Sequence, residues 1–290
     1  MYIKWSVLWI VLFLLPLLNA KETRVVAFYT KNIAKVSDKD VQIAIKNILK
    51  VGSEKSGIEL KEEFPDSVDV IIDGFISGRY SLITLNTYDV MKHYQKLAPY
   101  IGKMWTIAKK KKTPEMRYLL LVPKENGDRL VNGTKIALLN FDYMQNVYLD
   151  SYLLKNYHMD SKKFFQNIYT YSTASQVILK LFFSKVDACV VSEHAYQIAI
   201  ELNPQLKNRI KILAYSEKVF PSVGLTISRK DDYKIVKLYN IFSQDKQDIK
   251  TLSNVLMLYK AEAIVYFSQK KMDKLRTFYK GYEVLKARYE

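Results

Sequence analysis

Short β-rich segments alternate with amphipathic helical segments along this 290-residue chain, and the alternation constrains its fold more than any other feature. A strand pattern over residues 24–30 precedes helical periodicity over 38–50, and the same pair recurs at 80–85 and 87–97. Parallel strands need a crossover connection, which is usually a helix, so the pattern predicts an α/β fold with parallel strands. Functional residues are then expected at the carboxyl ends of the strands.

The second half of the chain repeats this pattern. Strand-like segments at 117–123, 135–140 and 186–192 alternate with helical segments, of which 143–157 is the longest. From Asp231 to the end, the apolar spacing is almost wholly helical. The sequence therefore predicts two α/β halves and a helical C-terminal tail.

The first twenty residues resemble a secretory leader. They form an apolar run with one positive charge, Lys4, and end in Ala20 before Lys21 and Glu22. The run is shorter than the roughly 20 apolar residues of a spanning helix and ends in a small residue, as signal peptides do. We expect export with cleavage after Ala20. Leu18 stands where a small residue is usual, so a retained membrane anchor is the alternative.

The chain has a formal net charge of +16 and one cysteine. Cys189 cannot form an internal disulfide or a thiolate-based metal site, and its apolar neighbours predict a small buried side chain. The four lysines at 109–112 invite a nucleic-acid partner. They also suit a solvated loop, and no nucleic-acid fingerprint accompanies them. The three histidines lack metal-ligand or triad spacing. We expect no cofactor, no metal site and no nucleic-acid partner.

Three segments carry a family resemblance. Residues 133–137 read Gly-Thr-Lys-Ile-Ala, residues 172–175 read Ser-Thr-Ala-Ser at the start of a helix, and 184–191 read Ser-Lys-Val-Asp-Ala-Cys-Val-Val. Here the chain resembles the second lobe of type II periplasmic substrate-binding proteins, particularly the phosphate, phosphite and phosphonate branch of ABC-transporter receptors. Residues 75–85 are similar to the helix, glycine turn and strand of the first lobe.

The resemblance implies a two-lobed type II periplasmic-binding-protein architecture that the chain crosses twice, near 112–123 and 214–228. Hinge closure of the inter-lobe cleft couples binding to shape, because contacts to both lobes exist only in the closed state. The implied function is capture of a small, anionic phosphonate- or phosphate-like ligand and its delivery to an ABC permease by a periplasmic monomer. The implied parts are a signal peptide (1–20), lobe 1 (21–115 with 223–290) and lobe 2 (116–222).

Polar loops that lead into helices at strand ends are candidate ligand sites. Unpaired N–H groups and the positive end of the helix dipole attract anions there. Among the aromatic residues of these loops, Tyr88 and Tyr143 are expected to face the cleft. The predicted ligand-binding residues are Thr30, Asn86, Thr87, Tyr88, Asn140, Asp142, Tyr143, Ser172, Thr173, Ser175 and Ser192.

One of these loops departs from the family. At 140–146 the phosphonate branch has a Ser/Thr-rich phosphate cradle, whereas this chain reads Asn-Phe-Asp-Tyr-Met-Gln-Asn. A carboxylate there repels a dianion, and the lost hydroxyls remove hydrogen-bond donors. The branch also tends to place a histidine and an acidic residue near Ala174 and Ser175, and neither is present. Phe141, Tyr143 and Tyr88 could instead stack on an organic or cationic group, so the ligand stays open.

Two alternative functions remain. A periplasmic ligand-sensing receptor for a membrane kinase or a cyclic-dinucleotide enzyme would have the same cleft and a different partner. A membrane-tethered periplasmic enzyme or structural module would require a retained leader. The sequence contains no nucleotide-binding glycine-rich loop, zinc-protease helix or nucleophile elbow, so we expect a receptor without enzymatic activity.

Overall fold

The computed structural model describes residues 22–31, 37–108, 113–244, 256–257 and 261–289. The predicted signal peptide and the lysine run at 109–112 lie outside these residues. Within the described residues, no helix is both long and apolar enough to span a membrane.

Strands and helices alternate through most of the described chain. The strands are β1 (Thr23–Phe28), β2 (Glu59–Glu63), β3 (Leu82–Leu85), β4 (Ile101–Ala108), β5 (Glu115–Met116), β6 (Tyr118–Pro123), β7 (Lys135–Leu139), β8 (Asn167–Tyr171), β9 (Ala188–Ser192), β10 (Ile210–Tyr215), β11 (Phe220–Pro221), β12 (Leu225–Arg229) and β13 (Ala263–Tyr266). The helices are α1 (Asp38–Ser56), α2 (Val68–Ile76), α3 (Thr87–Lys92), α4 (Tyr94–Leu97), α5 (Tyr143–Tyr157), α6 (Ser161–Phe164), α7 (Ala174–Phe182), α8 (Glu193–Leu202), α9 (Leu206–Arg209), α10 (Tyr233–Gln244) and α11 (Gln269–Tyr289).

The first lobe is built on a six-stranded sheet with the order β13-β4-β12-β3-β1-β2. β1 pairs in parallel with β2 and with β3, and helices α1 and α2 make the connections, as the alternation predicts. β12 is antiparallel to both of its neighbours, and β13 is antiparallel to β4. The sheet is therefore mixed, because strands that return from the other lobe or from the C-terminal region enter it in the opposite direction.

The second lobe has a five-stranded sheet with the order β10-β6-β9-β7-β8. β7 is parallel to β8 and β9, whereas β6 is antiparallel to β9 and β10. Leu119 and Leu121 of β6 face one apolar cluster, while Tyr118 and Leu120 face another. Both faces of this strand are thus buried, which is typical of a central strand in an α/β lobe.

Two chain crossings that pair with each other link the lobes. β5 leads from the first sheet into β6, and β11 leads back from β10 into β12. They form an antiparallel ribbon in which Met116 pairs with Phe220 and Glu115 with Pro221. Both crossings fall within the predicted stretches, and the two-lobed α/β architecture is confirmed. Paired crossings of this kind form a hinge, because the lobes can rotate about two short adjacent segments.

The C-terminal helix α11 contacts both lobes and the hinge. The Gln269 amide donates to the Tyr94 hydroxyl of the first lobe at 3.3 Å. The Phe278 ring lies 5.0 Å from that of Phe220 in the hinge ribbon. Tyr289 stacks at 4.5 Å on His158, which caps the carboxyl end of α5 in the second lobe. The predicted helical tail is therefore present and packs across the molecule.

Two strands correct the sequence-based prediction. β4 lies inside the first sheet although no strand was predicted over Ile101–Ala108, and β13 interrupts the tail that was predicted to be almost wholly helical after Asp231. β13 pairs with β4 from Ala263 to Tyr266. Pairing between distant segments decides both cases, since strand preference depends on the neighbours that a segment meets in the fold.

Candidate functional site

The lobes meet where Tyr88 contacts Tyr143. Tyr88 lies in the first turn of α3, directly after β3, and Tyr143 begins α5, after β7. Their ring centroids are 5.6 Å apart, with the planes inclined at 36°. The carboxyl ends of β3 and β7 therefore lie face to face, at the position where α/β sheets bind ligands.

The first-lobe side of this cleft is organised by Asn86, the N-cap of α3. Its side-chain oxygen accepts a hydrogen bond from the Asp89 N–H at 2.8 Å, and its amide donates to the Asp89 carboxylate. Burial raises the pKa of Asp89, and the Asn86 amide offsets only part of that effect. Thr87, between them, is buried. This side of the cleft thus holds a partly buried carboxylate whose closest compensation comes from an amide.

The end of β1 lies beside this group. The Tyr29 N–H donates to the Thr84 carbonyl of β3 at 3.0 Å. Burial raises the pKa of Tyr29, and the charge of Asp89 raises it further. Thr30, the predicted binding residue that follows, is buried. The hydroxyl of Tyr29 therefore stays protonated at neutral pH.

The second-lobe side is organised by Asp142, the N-cap of α5. Its Oδ1 accepts hydrogen bonds from the Gln145 N–H at 3.2 Å and from the Tyr118 hydroxyl at 2.7 Å. Gln145 is fully buried. Its Oε1 accepts from the Leu139 N–H at 2.9 Å, and its amide donates to the Val190 carbonyl. These bonds fix the first turn of α5 to β7 and β9, and with it the position of the carboxylate.

Phe141, directly before this cap, has a left-handed backbone with φ of 62°. A bulky residue rarely adopts this conformation, and such strain is concentrated at functional sites. Its ring is 53% exposed. The strained residue turns the chain between β7 and α5, so that Asp142 caps the helix and Tyr143 reaches Tyr88.

Helix α11 supplies a further side of the cleft. The Tyr279 ring lies 6.3 Å from Tyr88 in an edge-on arrangement. Burial raises the pKa of Tyr279, and nearby Tyr88 and Glu283 add to the effect. Tyr279 belongs to α11, so its contact with Tyr88 places the C-terminal helix next to the contact between the lobes.

The remaining predicted residues lie at the carboxyl ends of β7, β8 and β9. Thr173 caps α7 by accepting from the Gln176 N–H at 3.0 Å, and Ser172 bonds the Gln176 side chain at 3.1 Å. Ser192 caps α8 by accepting from the Ala195 N–H at 3.3 Å. Asn140 and Ser175 are exposed. The hydrogen bonds of Ser172, Thr173 and Ser192 stay within the starts of their own helices, while the Asn140 N–H donates to the Tyr171 carbonyl at 2.9 Å and joins the ends of β7 and β8.

Five cleft residues were not selected from the sequence. Tyr29 directly precedes the selected Thr30 and Asp89 directly follows the selected Tyr88, so their neighbours gave a usable signal. Tyr118 and Gln145 act through Asp142, and Tyr279 arrives from the distant tail, so local patterns could not identify them. The five residues are Tyr29, Asp89, Tyr118, Gln145 and Tyr279.

Two residues outside the cleft have structural roles, and that of Cys189 is the buried one that the sequence predicts. The Asp187 carboxylate accepts from the Lys135 N–H at 2.8 Å and fixes the loop before β9. Cys189 is fully buried, which raises the pKa of its thiol and makes it unreactive. Among the described residues, no group of three or more His, Cys, Asp or Glu side chains could hold a metal ion.

A protein-family model matches residues 33–262, which is most of the chain. The model describes the periplasmic substrate-binding protein of phosphonate ABC transporters. No curated protein has a matching sequence. The match begins after β1 and ends just before β13, and so includes residues of both lobes.

Three solved structures have a similar fold. XAC2383 from Xanthomonas citri, bound to ATP, has 13% identity and a TM-score of 0.63, covering 93% of this chain and 100% of its own. A binding protein of an ABC phosphonate transporter from Pseudomonas aeruginosa has 12% identity and a TM-score of 0.58, covering 93% and 89%. PhnD1 from Prochlorococcus marinus, in complex with methylphosphonate, has 12% identity and a TM-score of 0.54, covering 89% and 97%. At these identities the likeness concerns the fold.

Proposed function

The chain belongs to the family of periplasmic substrate-binding proteins of phosphonate ABC transporters, and from this premise we propose that it captures a small, anionic phosphonate- or phosphate-like ligand between its lobes. The family consists of transport receptors rather than enzymes. Its members bind a small solute in the periplasm and deliver it to an ABC permease. Which ligand this chain binds must be inferred from its own residues.

The observation that carries the proposal is the contact between Tyr88 and Tyr143 across the two lobes, with ring centroids 5.6 Å apart. A ligand beside this pair would touch α3 and α5 together. Only the closed arrangement offers both sets of contacts, so binding shifts the population toward closure. The hinge ribbon of β5 and β11 provides the axis for that movement.

Electrostatics supports an anionic ligand. The first-turn N–H groups of α5, on Tyr143 and Met144, have no carbonyl partner within the helix and lie at the positive end of its dipole. The net charge of +16 favours the approach of anions from solution. The Asp142 carboxylate opposes a fully ionised ligand at the same place, and this conflict constrains the protonation state of the ligand.

The proposal includes the division of the chain. We assign residues 1–20 to a signal peptide cleaved after Ala20, residues 21–115 with 223–290 to lobe 1, and 116–222 to lobe 2. The division is supported by β5 and β11, which fall at the two crossings. We further propose that the mature protein is a monomer without catalytic activity or a nucleic-acid partner. Mass spectrometry of the exported protein should find Lys21 at the N-terminus, and a retained leader would contradict this part.

A thermal-shift screen with methylphosphonate and inorganic phosphate tests the binding function. A ligand at a hundredfold its dissociation constant adds about 2.7 kcal/mol of stability. The Tyr143→Ala variant should lose the ligand-induced shift, because it removes the second-lobe side of the tyrosine contact. Tyr169→Ala is the matched control, since Tyr169 is 40% exposed, as Tyr143 is 43% exposed, but lies on β8. No shift with either compound, or an equal shift in both variants, would contradict the proposal.

A further inference from the structure

The start of the C-terminal helix α11 is anchored in the first lobe. The preceding strand β13 pairs with β4, and the residues Phe267 and Ser268 connect β13 to α11. Phe267 is fully buried, and its N–H donates to the Met104 carbonyl of β4 at 2.8 Å. The Arg276 guanidinium lies 4.3 Å from the centroid of the Tyr94 ring. The first half of α11 is therefore expected to move with the first lobe.

The other end of α11 lies on the second lobe. The helix has 21 residues, which makes it about 30 Å long, and it packs along α5. Leu285 and Tyr289 are four positions apart, so they lie on one face of the helix. Both are partly buried against an apolar cluster that includes Leu153 of α5. The Tyr289 ring also stacks on His158 at 4.5 Å, with the planes 17° apart. The second half of α11 is thus held by the second lobe.

Between these two ends, α11 joins the apolar cores of the lobes. One buried cluster contains Ile83 of the first sheet, Leu120 of the second sheet and Leu275 of α11. Beside the hinge, the Lys271 ammonium of α11 donates to the Glu115 carboxylate of β5. The helix is therefore a third connection between the lobes, in addition to the two crossings β5 and β11.

Opening of the cleft would disturb the far end of α11 most. When the second lobe rotates, a helix that is fixed to the first lobe at its start is displaced furthest at its other end. Packed helices slide past each other only by small amounts, because their side chains interdigitate. Tyr289 contacts His158 in the same arrangement in which Tyr88 contacts Tyr143 across the cleft. The contact of α11 with the second lobe therefore favours the closed arrangement over an open one.

We propose that α11 is a strap that restrains the second lobe and keeps the ligand-free protein close to the closed arrangement. The strap raises the affinity for a ligand, because a ligand that binds the closed state finds this state already populated. It also slows release, because opening must first separate α11 from the second lobe. The inference rests on the lobe closure of the proposed function, but its first test needs no ligand.

Double electron–electron resonance spectroscopy of the ligand-free full chain tests the strap. Spin labels at Val70→Cys in α2 and Leu202→Cys in α8 report the distance between the lobes. The combined change Leu285→Ala and Tyr289→Ala removes the contact of α11 with the second lobe, so it should shift the mean of the distance distribution and broaden it. Val284→Ala is the control, since Val284 lies on the same helix turn but is 53% exposed, and it should keep the wild-type distribution.

The same contact can be removed from the second lobe without changing α11. His158 has a left-handed backbone with φ of 60°, which asparagine also adopts, so His158→Asn should fold. This variant should change the ligand-free distance distribution in the same direction as the strap variant. Adding Tyr289→Ala to it should change the distribution no further, because both substitutions remove one contact. Circular dichroism and the melting temperature show whether each variant keeps its fold.

Affinity gives a second measurement. In the strap variant, the dissociation constant for methylphosphonate should rise by the same factor by which the closed fraction of the ligand-free protein falls. A wild-type distance distribution in the folded strap variant and in His158→Asn, or an equal change in Val284→Ala, would overturn the strap and leave the receptor function intact. If the wild-type protein binds neither methylphosphonate nor inorganic phosphate, the proposed ligand class is wrong, and the ligand-free distributions still decide whether α11 restrains the lobes.

Discussion

Tyr118 and Tyr148 form a matched pair for testing how the cleft is held together. Their rings stack at 6.0 Å with planes 13° apart, and both side chains are almost fully buried. The Tyr118 hydroxyl donates to Asp142 at 2.7 Å. The Tyr148 hydroxyl has no hydrogen-bond partner within the described part of the chain. Replacing each by phenylalanine removes one hydroxyl oxygen from a buried site. Because only the Tyr118 hydroxyl donates to Asp142, the two variants should differ in stability.

Tyr118→Phe should destabilise the protein. A hydrogen bond to a charged group contributes about 1.5–3 kcal/mol, and this variant removes one such bond from the carboxylate. For a chain of this length, 1 kcal/mol changes the melting temperature by about 2 °C, so we expect a decrease of about 3–6 °C. Tyr148→Phe removes a hydroxyl that was buried without compensation. Its melting temperature should stay unchanged or rise by about 2 °C.

Differential scanning calorimetry of the two variants at pH 7 measures both effects, and urea unfolding gives the free energies independently. Wild-type circular dichroism in both variants would show that the fold is retained. Equal losses of stability in the two variants would refute the reasoning. They would mean that packing around the hydroxyl oxygens, and not the hydrogen bond to Asp142, determines the loss of stability.

Three further predictions concern stability. Gly102→Ala should destabilise the protein strongly, since the added Cβ would lie 2.6 Å from the Arg229 carbonyl oxygen. In α11, the Cβ added by Gly281→Ala would meet no atom within 4 Å, so this variant should be about 0.5–1 kcal/mol more stable in thermal unfolding. Burial raises the pKa of Asp150, so the free energy of unfolding falls as the pH rises from about 4 through that raised pKa. The Asp150→Asn variant should therefore be more stable than wild type at pH 7 and equally stable at pH 3. A difference in stability that stays constant across pH would contradict this. Phe220→Ala, at the buried hinge, should cost about 3–5 kcal/mol in urea unfolding, whereas Phe183→Ala, at a 61% exposed site, should cost less than about 0.5 kcal/mol, and similar costs would argue against a packed hinge.

The local pattern of residues predicts those parts of the fold that depend on local physics. Helix α5 begins and ends at the predicted residues 143 and 157, because Asp142 provides an N-cap and apolar residues follow at helical spacing. The strand β9 ends where predicted, at the capping residue Ser192. Capping and periodicity are properties of neighbouring residues, so a single sequence reveals them.

The remaining parts depend on contacts between distant segments. β4 pairs with both β13 and β12, and β13 pairs with β4, so their strand character arises in the assembled sheet. The cleft shows the same limit. Tyr88 and Tyr143 follow strands and were predicted, whereas Tyr279 reaches the site only because α11 packs along α5. The hydrogen bond from the Tyr118 hydroxyl to Asp142 likewise joins residues that are distant in the sequence, so no local pattern predicts it.

Ligand-induced closure of the two lobes is the most direct test of the central claim. Cysteines at Val70 on α2 and Leu202 on α8, which are 49% and 80% exposed, allow spin labelling of one site on each lobe, while native Cys189 is fully buried and should not react. Double electron–electron resonance spectroscopy then measures the distribution of distances between the labels. Saturating methylphosphonate at pH 6 should shift and narrow this distribution, and Tyr143→Ala should abolish the change. A distribution that stays the same while methylphosphonate is bound would contradict capture between the lobes.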